Sequence, residues 1–159
     1  MVAAKASSQR EFPMEQFFVD AYETCLEPDE LLTEIRVPVP AKNSATAYLK
    51  FGYLERPSVG VAFFVALDQE RNRLADARLA VGCVGPTARR IEETEALFEG
   101  KSLDEAPTLV AKAGEIAARG SEAISDLHGS QDYKEHLVQV LVKRAFQQAL
   151  RQCLAGGRK

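Results

Sequence analysis

Residues 59–67 read Val-Gly-Val-Ala-Phe-Phe-Val-Ala-Leu, and no other run limits the fold as tightly. Side chains alternate along a strand, so Val59, Val61, Phe63, Val65 and Leu67 share one face. Gly60, Ala62, Phe64 and Ala66 share the other. Both faces are apolar, which predicts an interior strand covered on both sides and flanked by further strands. The flanks supply them. In Ala47–Leu54, Leu49, Phe51 and Tyr53 oppose Tyr48, Lys50 and Gly52. In Ala77–Val84, Ala77, Leu79, Val81 and Cys83 oppose Arg78, Ala80, Gly82 and Val84. The polar stretch Asp68–Arg73 serves as a hairpin connection. Strands in sequence with short links predict an antiparallel meander.

After Gly85-Pro86 the sheet is expected to stop, and the apolar period changes from two to that of a helix. Ile91–Phe98 predicts a short helix stopped by Gly100. Pro107–Arg119 predicts a second, carrying Leu109, Val110, Ala113, Ile116 and Ala117 on one side. Ser130 is placed to cap a third, which runs to about Leu154. Its core stripe is Val138, Val142, Ala145, Phe146, Ala149, Leu150 and Cys153, widened by Leu137 and Leu141. Strands followed by helices give an α+β fold: a two-layer sandwich with an antiparallel sheet of three to four strands on three α-helices.

The N-terminal quarter reads differently. Residues 1–10 are small and polar, and a loose tail is expected. Phe17, Phe18 and Val19 call for a docking surface. Glu27-Pro28-Asp29-Glu30 reads as a turn, and Leu31–Val37 as an extended run ended by Pro38 and Pro40. Val39–Ala45 is the linker, which divides the chain into 1–41 and 42–155.

Composition narrows the function classes. Apolar residues make up 46% and charged residues 27%, and the formal charge is 20 − 23 = −3. No basic run suggests nucleic acid, and Arg89-Arg90 reads as solvated surface. Cys25, Cys83 and Cys153 are widely spaced, so no metal site is expected. With no signal-peptide stretch and no run long enough to span a bilayer, a cytoplasmic protein is expected. Asp126, His128 and Ser130 hold the residue types of a hydrolytic triad, but their adjacency before a helix fits turn formation and capping better, so no catalytic residue is assigned. Glu92, Glu93 and Glu95 read as a solvent face. Lys50 stands out: a cation mid-strand, opposite Leu49, Phe51 and Tyr53, it reads either as a plainly exposed strand lysine or as a cation offered to an anionic or electron-rich ligand on that face of the sheet.

Four runs carry a family resemblance. They are Phe17-Phe18-Val19 with Leu26–Pro38, then Tyr48–Ala62, Ala77–Thr87, and Ser125–Lys134. In this order they resemble the C-terminal half of the FAD-binding (medium) subunits of molybdenum hydroxylases, the xanthine dehydrogenase and carbon monoxide dehydrogenase flavoproteins. The resemblance covers nearly everything after residue 12. Two departures are Lys134 where the family carries arginine, and Ala88 where it carries proline. Lysine lacks the planar fork of arginine, which predicts a looser ion pair there.

The resemblance implies that residues 1–41 end the flavin domain and that 42–155 form the C-terminal domain. It implies Lys50 and Leu32 beside FAD. A cation near the isoalloxazine favours its anionic, reduced form. Two unit charges about 4 Å apart interact by roughly 4 kcal/mol at an effective dielectric of 20. The family's glycine-rich pyrophosphate loops have no counterpart here, so FAD is expected to be shared with an FAD-domain polypeptide. An iron–sulfur subunit and a molybdopterin subunit complete the implied complex. The chain would be an oxidoreductase component, inactive alone, through which electrons pass from iron–sulfur clusters to FAD. The competing reading is a cofactor-free interaction module derived from the same domain. In either case an apolar sheet face is expected to need a cover, from a partner or from a second copy in a homodimer.

Overall fold

The computed structural model describes residues 1–52, 57–68, 70 and 72–156. The chain forms two compact units, Met1–Pro40 and Ala41–Lys159.

The first unit is built from hairpins. Strand β1 (Val2–Lys5) pairs antiparallel with β2 (Ser8–Glu11). The pair β3 (Phe18–Asp20) and β4 (Glu23–Thr24) follows, and then β5 (Leu31–Glu34) returns to the free side of β1. Val2 and Ala3 are buried, so the loose tail expected over residues 1–10 is corrected to the central strand of a three-stranded sheet and its hairpin partner. The physical reason is non-local. A short, polar-looking strand gains its place from a partner about 30 residues on, which no local pattern reveals. Ala3, Phe12 and Phe17 form a small core, with the Phe12 and Phe17 rings stacked at 6.2 Å. The Glu27–Glu30 turn closes with a bond from the Glu30 N–H to the Glu27 carbonyl.

The second unit is the sandwich. Strands β6 (Ser44–Phe51), β7 (Val59–Asp68), β8 (Arg73–Gly82) and β9 (Arg89–Arg90) make a four-stranded antiparallel sheet in chain order. The apolar run is the interior strand β7, in register with both neighbours. Sheet pairing extends past the expected stop at Gly85-Pro86, because Arg89-Arg90 pairs with Val81 and Ala80. The Arg89-Arg90 pair, read as solvated surface, is therefore an edge strand whose guanidinium groups meet Glu122 and Glu95. Arg73 and Asp68, assigned to the connection, are paired strand residues 3.2 Å apart through their side chains. Gln69 and Arg71 of that connection, and Tyr53 and Leu54 of the first run, lie outside the described residues.

Helices α1 (Glu92–Ala96), α2 (Ala106–Gly120) and α3 (Gln131–Gly156) pack on one face of this sheet. Short α1 ends before Gly100, whose left-handed φ of +66° suits glycine. The Ser130 Oγ accepts from the Tyr133 N–H at 3.3 Å and caps α3. Phe63 from β7, Phe98 and Phe146 form a fully buried aromatic trio with centroids 5.2–5.6 Å apart. Burying each such side chain contributes roughly 1.5–3 kcal/mol. Where α2 meets α3, a Cβ added at Gly114 would stand 3.2 Å from the Gln139 Cα, so the two backbones run nearly in contact. Buried Thr94 donates its hydroxyl to the Ala113 carbonyl, tying α1 to α2.

Candidate functional site

The register fixes the surroundings of Lys50. It stands opposite Gly60 on β7, which stands opposite Gly82 on β8. One step along, Tyr48 aligns with Ala62 and Ala80. The helices pack on the other face, where Ala47, Val61, Phe63 and Leu79 are buried. Beside Lys50, the helix-free face is thus a floor without side chains at Gly60 and Gly82. A Cβ at Gly60 would meet the Tyr48 hydroxyl at 2.7 Å, so the tyrosine ring lies over that glycine. Lys50 and Tyr48 are both exposed. Farther along the same face, the Arg78 guanidinium sits over the Phe64 ring at 5.8 Å. Lys50 is thus an exposed cation beside a glycine pair, of which Gly60 is covered by the Tyr48 ring.

Lys50 also lines a groove between β6 and α3, about 310 Å³ in volume, with Leu141, Arg144, Gln147, Gln148 and Arg151 of the helix. Leu32 lies elsewhere. It is half-buried on β5, opposite Ala3 of β1, and packs against the Phe12–Phe17 core. The two predicted site residues thus belong to different units, each positioned within its own.

The Asp126–Ser130 loop is structural. The Asp126 carboxylate accepts from the His128 backbone N–H at 2.8 Å and from the Lys134 ammonium at 2.8 Å. Lys134 is completely buried and also donates to the Ile124 carbonyl at 2.8 Å. The ammonium holds the Asp126 carboxyl below its ordinary range. The expected looseness of a lysine here is corrected: burial leaves a single short, doubly bonded geometry. No group of three or more His, Cys, Asp and Glu residues suits a metal ion among the described residues. None of their helices is long and apolar enough to cross a membrane.

Residues 55–149 match the CO dehydrogenase flavoprotein C-terminal domain. The chain belongs to that family.

Its relatives agree. The carbon monoxide dehydrogenase medium chain of Hydrogenophaga pseudoflava is 31% identical over 147 residues, which are 92% of this chain and 50% of that protein. The nicotine 6-hydroxylase medium subunit of Paenarthrobacter nicotinovorans is 29% identical over 141 residues, 89% of this chain and 48% of that one. Among solved structures, the carbon monoxide dehydrogenase from Hydrogenophaga pseudoflava that lacks the Mo-pyranopterin moiety of the molybdenum cofactor superposes with a TM-score of 0.87. It is 32% identical and covers 96% of this chain and 52% of its counterpart. The chain spans about half the length of the curated relatives it matches.

Within this flavoprotein-type domain, three functional or structural roles escaped sequence reading. Glu95, assigned to a solvent face, accepts from the Leu79 backbone N–H at 3.0 Å and pairs with Arg90. The groove pairing Arg144 and Arg151 with β6 went unread, although positions 144, 148 and 151 share one helix face by spacing. Lys134 was legible only as a substituted arginine, because its acceptors come from a loop whose path the sequence does not state.

Proposed function

We propose that this chain is the C-terminal part of the flavoprotein (medium) subunit of a molybdenum hydroxylase-type oxidoreductase, and that it helps close an FAD site. The observation that carries the reading is Lys50: an exposed cation aligned with Gly60 and Gly82, beside the Tyr48 ring, on the helix-free face of a domain of this family. In this reading, bound FAD accepts electrons that reach it from iron–sulfur clusters. The Lys50 ammonium interacts with the electron-rich edge of the ring system and favours its reduced form. Leu32, in the other unit, is the second residue that the family resemblance implies beside flavin. The pyrophosphate is held by a glycine-rich FAD-domain polypeptide, and an iron–sulfur subunit and a molybdopterin subunit supply the rest of the electron path. The substrate is chosen in the molybdopterin subunit.

Lys50→Ala tests this at the chemistry itself. FAD is titrated into the full chain together with its FAD-domain polypeptide, and the flavin potential is measured. Affinity falls about tenfold and the potential shifts to more negative values if the ammonium faces the cofactor. Equal affinity and equal potential remove Lys50 from the site. A colourless preparation that still binds the partner subunits selects the cofactor-free interaction module instead.

A further inference from the structure

The groove between β6 and α3 differs in charge from the rest of the surface. The chain as a whole carries a formal −3. The groove instead gathers Lys50, Arg144 and Arg151 with the amides of Gln147 and Gln148, and no carboxylate lines it among the described residues. Elsewhere Arg10, Arg36, Arg73, Arg78, Arg89 and Arg90 each meet an Asp or Glu, while exposed Arg119 meets none among the described residues. Among the described residues, Arg144 and Arg151 have no such partner, and both are exposed.

The shape of the groove says what kind of group suits it. One wall is β6, an edge strand of the four-stranded sheet, with no strand on its outer side among the described residues. Such an edge presents backbone donors and acceptors to an incoming strand. The other wall is α3, on which Arg144 and Arg151 are seven residues and so about 10 Å apart along the axis. In an extended segment, alternate side chains point the same way and stand about 7 Å apart. Acids at alternate positions therefore place two or three carboxylates along the arginine wall while the backbone pairs with β6. A guanidinium fork suits a carboxylate in two-point contact.

We propose that this groove takes an extended, acid-bearing segment of a partner polypeptide, added as a strand along β6 and anchored by Arg144 and Arg151. The groove shares Lys50 with the flavin reading, but the anchoring arginines take no part in that reading, so their variants test the proposal separately.

The test uses the full chain and a fluorescein-labelled peptide of alternating Glu and Val, read by fluorescence anisotropy and by hydrogen exchange. The peptide binds, and exchange slows at the backbone amides of β6. Arg144→Glu with Arg151→Glu weakens binding about tenfold or more. Raising salt from about 0.05 to about 0.5 M weakens the parent complex and affects the double variant less. Arg144→Gln and Arg151→Gln singly, at exposed positions, give the same direction should the double variant fold poorly. Equal affinity in these variants overturns the proposal, as does displacement by inorganic phosphate or a single-stranded oligonucleotide at the peptide's own concentration. Binding without protection of β6 overturns the added strand.

Discussion

The two units solve the same problem with different means. Unit 2 covers one face of a four-stranded sheet with three helices and centres its core on Phe63, Phe98 and Phe146. In unit 1 the buried apolar cluster is only Ala3, Phe12 and Phe17, so more of its order must come from strand pairing and polar links. Arg10 shows the pattern. Its guanidinium binds both Glu30 oxygens at 2.7 Å and the Cys25 carbonyl at 2.6 Å, and the Glu30 carboxylate also accepts the Glu27 N–H. Unit 1 therefore leans on a carboxylate for a larger share of its order than unit 2 does.

Phe146→Ala breaks the aromatic trio and should cost unit 2 about 3–5 kcal/mol, the usual range for a buried phenylalanine. Chemical denaturation with a probe in α3 reads the loss, and an unchanged midpoint would place the core elsewhere. Lys134→Ala comes next. It strips Asp126 and the Ile124 carbonyl of their shared donor, for about 1–3 kcal/mol, since the aspartate keeps access to water.

Acid should separate the units. The Arg10 guanidinium holds the Glu30 carboxyl at about 2, below its ordinary value near 4.5. A carboxyl lowered by folding stabilises fully above its unfolded value and loses that contribution as pH falls through the folded one. Between about pH 4.5 and 2, then, unit 1 resonances should change in step with Glu30, and Glu30→Gln should abolish that step. A simultaneous loss of both units in the parent would merge what is here kept distinct. At the small end, Arg36→Ala removes exposed pairs with Glu11 and Glu34 and should shift stability by less than about 1 kcal/mol in a thermal melt.

Legibility followed the same division. The sandwich was readable because its signals are local: period two in 59–67, helical spacing from Val138 to Cys153, and Ser130 before the last helix. Unit 1 was legible only in its Glu27–Glu30 turn and the extended run from Leu31; Val2–Lys5, held between Ser8–Glu11 and Leu31–Glu34, is too short to show a period. Two residues of β9 after a Gly-Pro pair were likewise too short to carry a period. At the site, Lys50 could be found as a cation out of pattern on its strand. Arg144 and Arg151 could not, since a helix arginine at the surface is ordinary until the structure sets a bare sheet edge opposite it.

Gly114 acts as a gauge for this arrangement. With no side chain to hold the helices apart, it sets how closely α2 and α3 approach. The same helix carries the cationic wall, so a single methyl group at that distant position would act as a shim. It would push the wall away from α2 without touching a residue of the groove.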